Sequence, residues 1–157
     1  MIVLKYQAKQ IFYIYTAFLG ILSLSIFLMP FGFKIADKTK ILTYISGVVF
    51  WIGLVGTISA AVYITHLRKR SKEFPEAYTN YRQLGLIHFF QNVPAIICDA
   101  LMIASLIGFV ITRILLGKTV FPFIFLSLLI FFFGMHCMLN GSNYIYIKYK
   151  ARRRTEL

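Results

Sequence analysis

Four long runs of apolar residues, separated by short polar stretches, constrain the fold of this chain more than any other feature. They lie at about 11–33, 41–65, 84–112 and 120–147. Each run contains the roughly 20 predominantly apolar residues that a helix needs to cross about 30 Å of hydrocarbon. Lipid offers the backbone no hydrogen-bond partners, and the runs are too long for barrel strands. We therefore predict that each run forms a transmembrane helix.

The composition agrees with a membrane location for almost the whole chain. Of the 157 residues, 59% are hydrophobic and 14% are charged, whereas a soluble domain has about 45–50% apolar and about 25% charged residues. We predict an all-α integral membrane protein that forms a single membrane domain over residues 1–157. Its predicted segments are transmembrane helices at about 11–33, 41–65, 93–115 and 120–147, a loop at 67–92 and a basic tail at 148–157.

The distribution of basic residues predicts the orientation of these helices. Twelve of the 17 lysines and arginines lie before the first helix, between the second and third, or after the fourth. Because basic residues accumulate on the cytoplasmic side of membrane proteins, we predict that both termini and the middle loop are cytoplasmic. The four helices would then form an antiparallel bundle in the cell (inner or plasma) membrane.

The net charge of +12 is not explained by nucleic-acid binding, because no recognisable nucleic-acid-binding motif accompanies it. We predict that the cations contact anionic lipid headgroups at the cytoplasmic face, where each interaction is worth about 1 kcal/mol. The residues assigned to this contact lie after the second predicted helix and near the end of the chain: Arg68, Lys69, Arg70, Arg152, Arg153 and Arg154.

The loop at 67–92 leaves two questions open. The part after Pro75 forms either a short amphipathic helix at the membrane surface or an irregular connector. Pro94 either kinks a long third helix or marks the start of a shorter one, with Asn92 or Val93 as its cap. We prefer the start, which places Asp99 about 8 Å below the cytoplasmic edge of the membrane.

Asp99 is the only acidic residue inside a predicted helix. An aspartate at that depth costs about 2.5–3.5 kcal/mol on insertion scales, so its side chain should face protein or water. Asn92 and Asp99 are seven residues apart, as are His136 and Asn143, and helical phase places each pair on one face. In antiparallel helices, the register that sets Asp99 beside His136 also sets Asn92 beside Asn143.

We therefore predict a polar seam between the third and fourth helices, formed by Asp99, His136, Asn92, Asn140 and Asn143. This seam is a candidate binding or proton site, in which the carboxylate and the imidazole would favour each other's charged form. The alternative is that these side chains only hold the helices together, with hydrogen bonds worth about 0.6 kcal/mol each on average.

No pattern typical of catalysis or cofactor binding is present. The GxSxG, HExxH and Walker A motifs are absent, and one intramembrane acid cannot supply a pair of catalytic carboxylates. The two cysteines, Cys98 and Cys137, are interpreted as small buried hydrophobic residues. We predict no catalytic residue, metal or cofactor. In the second helix, Gly56 and Ala60 form a small-x-x-x-small pattern that predicts close helix packing.

These features favour a non-enzymatic accessory or interaction subunit of the membrane, which would form homo-oligomers or bind other membrane subunits. A small transporter or channel that uses the polar seam is the alternative. A third hypothesis is an immunity-type protein that protects the membrane against a toxin.

Overall fold

The computed structural model describes residues 3–35, 41–71, 86–117 and 119–152. This part of the chain forms α-helices and contains no strand, which confirms the all-helical prediction. Four helices contain stretches long and apolar enough to span a membrane, at Ala8–Phe31, Ile41–Arg70, Val93–Leu116 and Phe121–Leu139. The helices are α1 (Val3–Ile35), α2 (Ile41–Arg70), α3 (Val93–Leu116), α4 (Phe121–Leu139) and α5 (Ser142–Arg152).

Helix α3 begins at Val93, so Pro94 lies in its first turn rather than at a kink. The Asn92 side chain caps the helix by accepting a hydrogen bond from the Ala95 N–H at 3.0 Å. Proline suits this position because the first N–H groups of a helix have no partner within it. Residues 86–92, which precede α3, have no regular secondary structure. The surface helix considered for the loop falls mostly on residues 72–85, outside the described part of the chain.

The fourth apolar run forms two helices, although the sequence predicts one at about 120–147. Helix α4 ends at Leu139, and α5 begins at Ser142. Between them, Asn140 adopts φ −89° and ψ 0°, and Gly141 follows. Asparagine and glycine are weak helix formers, and an asparagine side chain that bonds elsewhere offers the chain an alternative to the helix.

Helices α1 and α2 approach each other closely through small residues. A Cβ added at Gly53 would lie 2.6 Å from the backbone nitrogen of Leu22, and one added at Gly56 would overlap the Phe18 ring. Ala60 is buried in the apolar core that α1 and α2 share. The two residues assigned to helix packing, Gly56 and Ala60, therefore both lie on the α1 side of α2.

Helix α4 is the common neighbour of α1 and α3. The hydroxyl groups of Ser23 on α1 and Ser127 on α4 each donate to the other residue's carbonyl at 2.7 Å, and the Tyr15 hydroxyl donates to the Gly134 carbonyl at 2.7 Å. Helix α3 packs on α4 as well, but within the described residues no comparable packing joins α3 to α1. A gap therefore lies over α4 between these two helices.

Candidate functional site

Asp99 lies in the second turn of α3 and is completely buried, with 0% of its surface exposed. Of the residues that the structure describes, it is the only acidic one. Its Oδ1 atom lies 2.7 Å from Nδ1 of His136, and its Oδ2 atom accepts the backbone N–H of Phe90 at 2.7 Å. Asn140 Nδ2 donates to both carboxylate oxygens, at 3.1 and 3.2 Å. The carboxylate thus receives hydrogen bonds from three separate donor groups.

His136 is the nearest titratable partner of this carboxylate, and it is 1% exposed. Its Nδ1 atom faces Asp99 Oδ1 and donates to it when the carboxyl group is ionised, while Nε2 lies 3.5 Å from the Leu86 carbonyl oxygen. Both neighbours are hydrogen-bond acceptors, so an imidazolium can donate to both, whereas the neutral ring has only one N–H. The Phe89 ring covers His136 with a centroid separation of 4.4 Å. The imidazole is therefore enclosed by α3, by its own helix and by the chain before α3.

Asn140, the residue at which α4 ends, also belongs to the cluster. Its position four residues after His136 places it one turn further along α4, on the same face. While its amide nitrogen donates to Asp99, its Oδ1 accepts the Gln91 N–H at 3.1 Å. The Asn140 side chain therefore bridges the carboxylate on α3 to the backbone that precedes α3.

Residues 86–92, which we call the cap segment, close the cluster on the remaining side. Phe90 has φ 59°, a left-handed conformation that costs a non-glycine residue about 1–2 kcal/mol. The same residue gives its N–H to Asp99, and such charge-assisted bonds are roughly twice as strong as neutral ones. Asn92 completes the attachment by donating from Nδ2 to the Leu139 carbonyl at 2.9 Å. The cap segment is thus held at Asp99, Asn140 and Leu139.

The structure brings together three of the five residues of the predicted seam. Asp99 and His136 are in contact, as the proposed register requires, and Asn140 joins them. Asn92 lies at the edge, where it caps α3. The predicted pairing of Asn92 with Asn143 is wrong, because Asn143 instead donates to the Thr65 hydroxyl of α2 at 3.1 Å. The register fails there because the break after Leu139 separates Asn143 from the helical phase of α4.

The sequence did not indicate the contribution of the cap segment. Backbone groups of Leu86, Phe90 and Gln91 reach the cluster, and backbone groups are the same in every sequence. One signal was available: a helix that starts at Pro94 leaves irregular chain close to a buried acid. Irregular backbone at that depth needs internal partners.

Four of the six basic residues assigned to lipid contact lie at helix ends. Arg68, Lys69 and Arg70 occupy the last turn of α2, and Arg152 is the final residue of α5. Arg153 and Arg154 lie outside the described residues.

The side chains of the cluster can hold a proton or form hydrogen bonds to one another. Within the described ranges, no group of three or more His, Cys, Asp and Glu side chains could hold a metal ion. Both cysteines are free thiols, and Cys98 Sγ donates to the Phe132 carbonyl at 3.2 Å. What remains is one carboxylate, one imidazole and one carboxamide in mutual contact.

Comparison of this chain with family models, curated proteins and solved structures gives no match.

Proposed function

We propose that this chain is a non-enzymatic accessory or interaction subunit of the cell membrane, with its helices antiparallel and both termini in the cytoplasm. The observation that carries the proposal is the closure of the polar cluster. Asp99 is fully buried, and its carboxylate is bonded to the Phe90 N–H, to His136 and to Asn140. A cluster closed in this way joins α3, α4 and the cap segment to one another.

The intramembrane surfaces then become the parts of the molecule available for interaction. Helix α2 uses one side for α1 and exposes large apolar side chains on the other, including Trp51, which is 63% exposed. Tyr44, Val48, Trp51 and Val55 follow one another at spacings of four, three and four residues, which is the spacing of a helix–helix seam. This surface supports binding to a membrane partner or to a second copy of the chain.

Photo-cross-linking in native membranes tests this function. A photoreactive amino acid at Trp51 should give a discrete cross-linked product whose mass is increased by a protein partner. The same amino acid at Ile64, which is 0% exposed and belongs to the buried core around α1, is the matched control on α2 and should give none. If Trp51 yields only lipid adducts, and other outward positions on α2 do the same, the interaction role is contradicted.

A small transporter is the second candidate, and a different observation favours it. Two interruptions of the helical backbone, residues 86–92 before α3 and Asn140–Gly141 after α4, meet at one buried acid. Transporter sites are often built from discontinuous membrane helices, and an intramembrane acid is a candidate for ion or proton coupling. In this proposal the cap segment would have to move before Asp99 could meet a ligand.

Flux measurements in liposomes separate the two candidates. The transporter proposal requires cation- or proton-dependent flux in the parent protein and its loss in Asp99→Asn, with the variant's helical content unchanged. The accessory proposal expects no flux above that of empty liposomes in either protein. Flux that depends on Asp99 would therefore overturn the accessory role.

A further inference from the structure

An apolar groove of about 470 Å³ lies in the gap over α4 between α1 and α3. Its volume is within the range of about 300–1,000 Å³ that is typical of small-molecule sites. The groove exists because α1 and α3 both pack on α4 without packing comparably on each other. Helix α4 forms its floor, and the lining side chains include Phe12, Ile97, Leu101, Phe131, Met135 and Tyr144.

The groove is long enough to cover most of one leaflet of a bilayer. Along α3 it extends from Pro94 in the first turn to Leu101, which is about 10 Å of helix. Half of a hydrocarbon core of about 30 Å is about 15 Å, so the groove covers about two thirds of one leaflet. An apolar groove of this length, parallel to membrane-spanning helices, fits an extended acyl chain better than a compact polar ligand.

Two exposed lysines lie at the outer end of this groove. Lys9 precedes the lining residue Phe12 by three positions on α1, and Lys148 follows Tyr144 by four positions on α5, so each lies one turn beyond the groove on the same helix face. Both lysines are at the same end of the molecule, because the Phe12 and Tyr144 rings lie 6.4 Å apart and the bonds from Tyr15 to Gly134 and from Ser23 to Ser127 show that α1 runs antiparallel to the fourth apolar run.

The end of the groove is therefore positively charged. Of the described residues, the only acid is Asp99, which is buried against His136 and cannot neutralise these lysines. An ammonium group on a flexible stem binds phosphate as a point charge. The charge thus complements an anionic phosphate placed just outside an apolar channel.

We propose that this groove is a binding site for one anionic phospholipid, with an acyl chain lying over α4 and the phosphate between Lys9 and Lys148. The acyl chain packs against the apolar lining of the groove, and the two lysines select the charged headgroup. The site does not depend on the proposed accessory function, since a bound lipid would support either a subunit or a transporter.

Native mass spectrometry of the protein released from nanodiscs with equal phosphatidylglycerol and phosphatidylcholine tests the site. The parent should retain one phosphatidylglycerol per chain. Leu101→Trp fills the groove and should lose that lipid. Ile103→Trp is the matched control, because residue 103 is 42% exposed and residue 101 is 43% exposed, yet 103 lies on the opposite face of α3 and should keep the lipid. Equal retention in both variants would overturn the proposal.

Two further measurements address the headgroup and the occupant. Replacing Lys9 and Lys148 by Gln should lower the preference for phosphatidylglycerol over phosphatidylcholine by about fivefold for each lysine, and an unchanged preference would contradict the phosphate site. If Leu101→Trp changes the subunit count while lipid retention stays constant, a helix of another subunit occupies the groove and the lipid proposal fails.

A test on the parent protein does not rely on a variant folding correctly. Phosphatidylglycerol with a photoreactive group in its acyl chain is incorporated, bulk lipid is removed by exchange into detergent, and the sample is irradiated. Adducts should map to α4 between Phe131 and Leu139 and to the first two turns of α3. Adducts confined to the outward face of α2 would refute the groove as the retained site.

Discussion

Removal of the Asp99 carboxylate is the most direct test of how the cluster stabilises the fold. In Asp99→Ala, the Phe90 N–H, the His136 Nδ1–H and the Asn140 amide all lose their shared acceptor. Asp99→Asn is a milder change, because the new carboxamide can still serve all three groups. Its oxygen can accept from Phe90 and Asn140, while its amide donates to His136 Nδ1 once the imidazole proton has moved to Nε2. In that tautomer, Nε2–H points at the Leu86 carbonyl, 3.5 Å away.

The two variants should differ in their effect on the free energy of unfolding. Hydrogen bonds between membrane helices are worth about 0.6 kcal/mol on average and about 1.7 kcal/mol at most. Three lost bonds predict a loss of about 2–5 kcal/mol for Asp99→Ala. Asp99→Asn keeps the number of bonds and loses their charge assistance, which is about half of their strength. We expect it to cost about 1–2 kcal/mol.

The measurement is reversible unfolding in mixed micelles of a mild detergent and dodecyl sulfate, followed by circular dichroism. Ser105→Ala is the control on α3, because the buried Ser105 hydroxyl donates within its own helix, to the Leu101 carbonyl, and the substitution should change stability by less than about 0.5 kcal/mol. The reasoning is refuted if Asp99→Ala is no less stable than Asp99→Asn, or if both match the Ser105 control.

Three other predictions use the same unfolding assay. Phe90→Gly should be about 1 kcal/mol more stable than Phe90→Ala, because glycine adopts φ 59° without strain; equal stabilities would show that the strain is absent. Gly53→Leu should destabilise the protein by at least about 1–3 kcal/mol, because its Cβ would meet the Leu22 backbone. Gly47→Leu, on the same helix and with nothing within 4 Å, is the control, and a similar loss there would contradict close packing as the cause. Asn92→Ala should cost about 1–2 kcal/mol through loss of the α3 cap and of the bond to α4. A value near zero would mean that neither bond stabilises the fold.

Much of the polar cluster could be anticipated from helical phase. Asp99 and His136 lie on regular helices, where residue spacing fixes the face, so one register was enough to place them together. Asn143 could not be placed in this way, because that argument assumes an uninterrupted helix and the chain breaks at Asn140. A local break of two residues is decided by the bonds that the Asn140 side chain makes to distant groups, and these are not encoded in local periodicity.

The sequence alone determined the helical class and the presence of four apolar spans, and it favoured a start of α3 near Pro94. These follow from local chemistry: apolar runs long enough to span hydrocarbon, and an asparagine followed by proline at a helix start. Tertiary structure alone decided that the cap segment closes over Asp99, that Asn143 bonds to α2 and that a groove remains over α4. Each of these depends on which helices become neighbours. Because the apolar surfaces of the four helices are alike, the close packing of a few small and polar side chains decides which helices pair.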